Sequence, residues 1–266
     1  MKAHQTICMV LASATLTATP LIACAADLAY KAPPLVPAYN WTGFYGGANV
    51  GGAWGTSNAA MTTCIGCGYL VPADAVLFNN NGTASLRPGG FTGGGQIGYN
   101  WQAGSIVWGL ESDFDYLGLK SSSSITVPYI PAFAPNTFTL NQSILTSWLA
   151  TVRPRVGWTT NNWLFYGTGG LAVTNISYNG SFSDTFGAAE TGSISRTRVG
   201  WTVGGGAEWE FASRWSAKVE YLYANFGSLT TTGVNNAFFG AAQVVTHNVN
   251  LQTNIVRFGL NYKFWF

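Results

Sequence analysis

Residues 106–116 read Ile106-Val107-Trp108-Gly109-Leu110-Glu111-Ser112-Asp113-Phe114-Asp115-Tyr116. Apolar side chains occupy most even positions of this stretch, whereas three carboxylates fall on odd positions. Because successive side chains of a β-strand point to opposite faces, the stretch predicts a strand with one apolar face and one acidic face. Its length of about ten residues is that of a tilted strand crossing a bilayer.

The same period of two recurs from Trp41 onward and predicts eight such strands. They cover residues 41–55, 91–101, 106–116, 147–158, 163–174, 198–211, 215–226 and 254–266. The face opposite the apolar one carries Glu111, Asp113, Asp115, Arg153, Arg155, Glu208, Glu210, Lys218, Glu220, Arg257 and Lys263. A charge facing lipid at the bilayer midplane would cost about 2–4 kcal/mol, so the charged face is predicted to line a lumen.

The connections between these strands alternate between short and long. The short ones are Gln102–Ser105, Thr159–Asn162 and Ala212–Arg214, and the long ones are about residues 56–90, 117–146, 175–197 and 227–253. Outer-membrane barrels combine tight periplasmic turns with long surface loops. The sequence therefore predicts an all-β fold, an eight-stranded antiparallel transmembrane β-barrel with short periplasmic turns and four long, polar, mobile surface loops.

The N-terminus is typical of an exported chain. Lys2 precedes an apolar stretch, and Ala23-Cys24-Ala25 is a cleavage site of the A-x-A type. The alternative is a lipobox at Leu21–Cys24, which would leave Cys24 lipidated. We expect a signal peptide at 1–25, a periplasmic linker at 26–40 and the barrel at 41–266.

Only 8% of the residues are charged, against roughly 25% in soluble domains.

The lumen of an eight-stranded barrel is only wide enough to be filled by its own side chains. Because strands three and four are neighbours, the acids of residues 111–115 should meet Arg153 and Arg155 there. The favoured interpretation is a salt-bridged plug, and the alternative is a polar pore or proton path. If the two arginines form the plug, replacing both with alanine should raise ion conductance.

The cysteines and the histidine of the long connections do not indicate a catalytic or metal-binding site. Cys64 and Cys67 read Cys-Ile-Gly-Cys in the first long connection, and in an exported protein this spacing predicts a local disulfide. His247 lies in the last long connection, where we expect it to be exposed. We therefore expect no catalytic residues, no cofactor and no metal site. The few scattered basic residues argue against a nucleic-acid partner.

Three motifs resemble a known family. They are Asn40-Trp41-Thr42-Gly43-Phe44-Tyr45-Gly46-Gly47 after an Ala25-Ala26-Asp27-Leu28 start, Trp201-Thr202-Val203-Gly204-Gly205-Gly206-Ala207-Glu208, and Val219-Glu220-Tyr221-Leu222-Tyr223. On these residues the chain resembles the rhizobial and brucella-type outer-membrane immunogenic proteins of the RopB group. The first long connection, with its two cysteines, departs from the family pattern.

The resemblance implies a small OmpA-like barrel in the bacterial outer membrane that is surface-exposed, contributes to envelope integrity and carries no catalytic residues. The alternative function is a narrow porin-like channel for small solutes. As partners we expect outer-membrane lipid and lipopolysaccharide.

The last strand carries a second recognition feature. Aromatic residues alternate at Phe258, Tyr262, Phe264 and Phe266. This pattern resembles the signal read by the outer-membrane assembly machinery, which we expect as a further partner.

Deleting Phe266, or replacing it with a charged residue, is expected to leave the protein in the periplasm and open to degradation. The reason is that the aromatic alternation of the last strand is read during insertion. The amount of protein in the outer-membrane fraction measures this effect, and an unchanged amount would contradict the prediction.

Overall fold

The computed structural model describes residues 39–234 and 243–264. The described strands are β1 (Gly43–Thr63), β2 (Thr83–Leu86), β3 (Gly89–Ala103), β4 (Ile106–Leu117), β5 (Lys120–Pro128), β6 (Thr137–Thr160), β7 (Trp163–Asp184), β8 (Ala189–Ala212), β9 (Trp215–Val234) and β10 (Val244–Lys263). One helix, α1, spans Pro72–Asn81, and a 3₁₀ turn spans Pro131–Phe133. The predicted signal peptide, the linker before Tyr39 and Phe266 lie outside the described residues.

Eight of these strands close into a ring in which neighbouring strands are antiparallel. The order around the ring is β1-β10-β9-β8-β7-β6-β4-β3, and β3 pairs with β1 to complete it. The prediction of an eight-stranded antiparallel barrel is confirmed. The two extra strands are additions to the ring, β2 on β1 and β5 on β6.

The short connections lie at one end of the barrel, which we call the turn end. Gly104, with φ of 60°, and Asn161, with φ of 50°, adopt the left-handed conformation that suits tight hairpin reversals. The long connections leave from the opposite end, which we call the loop end.

The predicted lipid-facing side chains are exposed on the outside of the ring. Ile97, Phe114, Val156, Leu171 and Phe258 are each at least 60% exposed. Tryptophans flank the turns, and Trp101 stacks on Trp108 with their ring centroids 4.6 Å apart. Such an aromatic girdle marks a membrane–water interface.

The strands continue beyond the predicted boundaries at the loop end. β6, β7 and β8 contain 24, 22 and 24 residues, whereas about 9–11 suffice to cross a bilayer. Much of the sequence assigned to loops is therefore barrel wall. The alternation persists there with serine and threonine outside, where the wall meets water, and with Leu140, Ile144 and Ile176 buried inside.

Helix α1 belongs to the first long connection and packs into the loop end. Pro72 stands at its start, where the missing N–H removes no helical hydrogen bond. The Phe78 ring packs against Phe138 of β6 and Phe182 of β7, at centroid distances of 6.1 and 5.7 Å. Among the described residues, no helix is long and apolar enough to span a membrane.

The two cysteines lie between β1 and α1. Their Cα atoms are 5.9 Å apart and their sulfur atoms are joined in the structure. Both residues are exposed.

Mature protein is expected to carry the disulfide Cys64–Cys67, because the two thiols are adjacent, exposed and in an oxidising compartment. Intact-mass analysis should give a mass lower than that of the dithiol by about two hydrogens. Two thiols that alkylate without a reductant would refute the pairing.

Candidate functional site: the lumen network

Nine of the eleven charges assigned to the lumen meet in one cluster, which we call the lumen network. Its members are Glu111, Asp113, Asp115, Glu208, Glu220, Arg153, Arg155, Lys218 and Arg257. None of them is more than 4% exposed. Each lies within 4 Å of an opposite charge, so the cluster is a set of buried ion pairs rather than a row of isolated charges.

Strand register places opposite charges directly across from each other. The facing pairs are Glu111 with Arg153, Glu220 with Arg257, and Glu208 with Lys218. Opposite charges in such cross-strand positions stabilise the pairing of the two strands. A shift of one residue would turn these charges to the lipid, so the same alternation fixes the register.

Two guanidinium groups hold four carboxylates at the centre. Arg153 Nη2 lies 2.8 Å from Glu111 Oε1 and 2.7 Å from Asp113 Oδ2. Arg257 Nη2 lies 2.9 Å from the same Asp113 oxygen and 2.7 Å from Glu220 Oε2. Its Nη1 atom lies 2.5 Å from Asp115 Oδ2. The shared Asp113 joins β6 to β10 across the barrel.

Glu111 receives the most donors. Lys218 Nζ donates to its two oxygens at 2.8 and 2.9 Å, and the Tyr45 hydroxyl donates at 2.8 Å. Arg155 lies between the rings of Tyr45 and Tyr166, 4.6 and 5.1 Å from their centroids. These two aromatic faces add cation–π attraction to the ion pairs of Arg155.

Uncharged side chains complete the network. Asn49 donates to Asp115 and Gln96, Gln96 donates to Asn261, and Asn261 donates to Glu208, at distances of 2.7 to 2.8 Å. With Tyr166 of β7 donating to Glu220, every strand of the ring contributes a side chain. These polar residues were not among the predicted lumen residues, although they share the inward parity of the charges.

Two predicted lumen charges lie apart from the network. Glu210 and Lys263 are near the turn end, and neither forms an ion pair with a described residue. Lys263 Nζ instead donates to the Asn40 carbonyl and lies 4.9 Å from the centroid of the Tyr39 ring. Their positions on the last inward rows of β8 and β10 put them at the end of the lumen.

An apolar layer lies directly on the loop side of the lumen network. Leu117 follows Asp115 on the inward face of β4, Leu149 precedes Thr151 on β6, and Leu222 follows Glu220 on β9. Ile255 of β10 stands opposite Leu222 in the same layer, and Phe226 and Leu251 belong to the same cluster farther along the lumen. This layer was not predicted from the sequence, because only the charges on the inward parity had been assigned to the lumen.

The expectation for His247 is wrong. The residue is 1% exposed and lies on β10, not in an exposed loop. Its Nε2 atom lies 2.9 Å from Glu190 Oε1, and its Nδ1 atom lies 3.3 Å from the Tyr178 hydroxyl. The extension of β10 toward the loop end turns this side chain inward, where buried polar groups satisfy the ring.

The described residues of the predicted assembly signal lie at the end of the last strand. Phe258 and Phe264 are 62% and 44% exposed, and the Tyr262 ring packs against Trp215 at a centroid distance of 5.0 Å. Their reading by the assembly machinery stays a prediction.

The ring and its interior together define a class of protein. Closing the antiparallel ring leaves no strand edge unpaired, its membrane-facing surface is apolar, and nine of its inward charges form ion pairs in the lumen. These are the properties of a small transmembrane β-barrel filled by its own side chains.

The chain belongs to the family described as the outer membrane protein beta-barrel domain, which matches residues 14–264. The 31 kDa outer-membrane immunogenic protein of Brucella melitensis is 34% identical over 253 residues, which are 91% of this chain and 93% of that protein. The 22 kDa outer membrane protein of Rhizobium leguminosarum is 32% identical over 198 residues, 73% and 69% of the two chains. The family resemblance and the outer-membrane location are confirmed.

One solved structure to which the chain is similar is the outer membrane protease OmpT of Escherichia coli. It aligns with 85% of this chain and 98% of its own, with 9% sequence identity and a TM-score of 0.46.

Replacing Arg257 with alanine is expected to lower the apparent unfolding temperature in detergent. Asp113, Asp115 and Glu220 would each lose a buried cation, and breaking a buried pair from one side typically costs about 3–5 kcal/mol. Arg257→Lys keeps the charge and should fall between the alanine variant and the parent. Arg87→Ala removes an exposed arginine outside the network and serves as the control. Equal unfolding temperatures for all four proteins would show that the network does not stabilise the barrel.

Proposed function

We propose that the protein is a non-catalytic structural barrel that strengthens the outer membrane and presents its loop end at the cell surface. The observation that carries this proposal is that side chains fill the interior at successive levels. A channel needs a continuous polar path through the lumen, and the side chains at these levels block such a path.

Four levels of the interior support the proposal. Trp41, Val107 and Leu164 form an apolar cluster at the turn end. The lumen network and the apolar layer follow, and a second apolar cluster surrounds Phe78 of helix α1 at the loop end. The porin-like alternative would require water to pass all four levels.

The outer surface supports contact with lipopolysaccharide, whose phosphates are anionic. Arg87 and Lys120 are exposed on the loop side of the apolar band, and Lys120 pairs with Leu145, which is also exposed. Among the described residues of the loop-end half, Asp74 and Glu190 are buried and Asp184 is partly buried. The exposed charge beside the outer leaflet is therefore basic, which favours anionic headgroups.

Two features support the absence of catalysis. The relatives are named as outer-membrane immunogenic proteins rather than as enzymes. The His247 ring is held inside the barrel by Glu190 and Tyr178, away from solvent.

Single-channel recording on refolded protein tests the proposal. The parent barrel is expected to give conductance near background, because the apolar layer excludes hydrated ions. The double variant Arg153→Ala, Arg155→Ala should also stay near background, since it leaves that layer intact. This expectation replaces the rise in conductance predicted from the charges alone.

Refolding is checked in each preparation on a gel, where folded, unheated protein migrates differently from the same protein after heating. Steady, large conductance from the folded parent would overturn the structural proposal and favour the channel. Loss of the protein from its own bacterium should increase sensitivity to detergent, and unchanged sensitivity would contradict the envelope role.

A further inference from the structure

A cavity of about 270 Å³ opens among three connections at the loop end. We call it the loop-end pocket. It is lined by Tyr69, Leu70, Val71, Asp74, Tyr129, Phe133 and Phe186. These residues come from the segment before α1, from α1 itself, from the turn after β5 and from the connection between β7 and β8. The pocket lies outside the lumen network and shares no residue with it.

Aromatic rings form much of the pocket wall. Tyr129 lies 6.2 Å from Phe133 and 5.7 Å from Phe186, measured between ring centroids. Phe133 and Phe186 lie 6.3 Å apart with their planes at 88°. Rings whose planes are steeply inclined to one another can turn their faces toward one guest from different sides, as the rings of an aromatic cage do.

Asp184 holds the two tyrosines in place. Its Oδ2 atom accepts hydrogen bonds from the hydroxyls of Tyr69 and Tyr129 at 2.6 and 2.7 Å. Its Oδ1 atom accepts from the backbone N–H groups of Phe186 and Ala188. Burial and the hydrogen bonds to this carboxylate raise the pKa of both tyrosines well above the usual value, so the hydroxyls remain donors.

Asp74 places a second carboxylate in the wall. It is 1% exposed, and its Oδ1 atom accepts a hydrogen bond from the Ile130 N–H at 3.0 Å. Among the described residues, neither Asp74 nor Asp184 forms an ion pair with a lysine, an arginine or a histidine. The pocket therefore combines aromatic faces with negative charge that no cation in the described part of the chain balances through an ion pair.

We propose that the loop-end pocket binds a small organic cation of the quaternary ammonium type. Aromatic faces attract a cation through their quadrupoles, and the carboxylate adds a direct electrostatic attraction. A trimethylammonium group needs no hydrogen-bond acceptor, which suits a wall that is largely apolar. The volume is slightly below the roughly 300–1,000 Å³ of sites for drug-sized ligands, so the guest is a headgroup-sized molecule.

Other cations fit this wall less well. Ca²⁺ takes about six to eight oxygen ligands. Among the described residues, no group of three or more acidic, histidine or cysteine side chains is arranged to hold a metal ion. A primary ammonium group would leave N–H donors facing aromatic carbon.

Isothermal titration calorimetry with choline chloride on full-length refolded protein tests the proposal. The detergent must be a glucoside, because phosphocholine and amine-oxide detergents carry the group under test or a close analogue. Choline should bind, whereas 3,3-dimethylbutan-1-ol, its uncharged carbon analogue, should not. Equal binding of both compounds would show a general apolar pocket and overturn the proposal, as would absence of choline binding at about 10 mM.

Two substitutions locate the site. Asp74→Asn removes the charge but keeps an oxygen for the Ile130 N–H, and Phe133→Leu removes a ring at a position that is 37% exposed. Each should weaken choline binding by about tenfold or more. Phe91→Leu removes an exposed ring on the lipid face and should leave binding unchanged. The exposed position of Phe133 keeps the test available if Asp74→Asn fails to fold, and unaltered affinity in the folded variants would overturn the assignment.

The quaternary group could come from free choline or from a phosphocholine lipid headgroup. Proteoliposomes containing the protein are mixed with phosphatidylcholine or phosphatidylglycerol vesicles. Recruitment of these vesicles to the proteoliposomes is measured by flotation. Recruitment of phosphatidylcholine vesicles alone, reversed by choline, identifies the headgroup as the source. Binding of free choline without vesicle recruitment identifies the soluble cation, and failure of both overturns the proposal.

Discussion

The structure depends on one constraint, that a backbone N–H or C=O group inside lipid must find its partner within the protein. A single strand cannot meet this condition, and an open sheet leaves two unpaired edges. Pairing β1 with both β3 and β10 removes those edges. Once the ring closes, alternate side chains must face either lipid or a narrow lumen, and the position of each charge along the chain becomes decisive.

The narrow lumen sets a second condition. Five carboxylates and four cations would each be costly if buried alone, so they are stable only as a connected group. With the uncharged side chains that hydrogen-bond to it, the group is also a cross-link, because these side chains together come from every strand of the ring. The ring thus provides the register that pairs the charges, and the paired charges oppose slippage of the ring.

The membrane-spanning half could be predicted closely from the sequence because each residue there is constrained by its parity. Glu111 and Arg153 were expected to meet, and they stand directly opposite each other. The loop-end half could not be predicted as well, because water accepts polar side chains such as Ser122 on the outer face and weakens the contrast between faces. His247 was therefore misplaced. Asp74 and Phe186 come together only through three connections whose paths no periodicity specifies.

The long outer continuation of β5 and β6 has a consequence for any molecule that approaches the cell from outside. Along Lys120–Pro128 and Thr137–Leu145 the chain is paired strand, and inward residues such as Phe138 and Leu140 are hidden. An approaching molecule meets side chains from neighbouring strands rather than consecutive residues of one segment. The outward surface is thus a discontinuous mosaic, and a free peptide copied from one segment would not reproduce it.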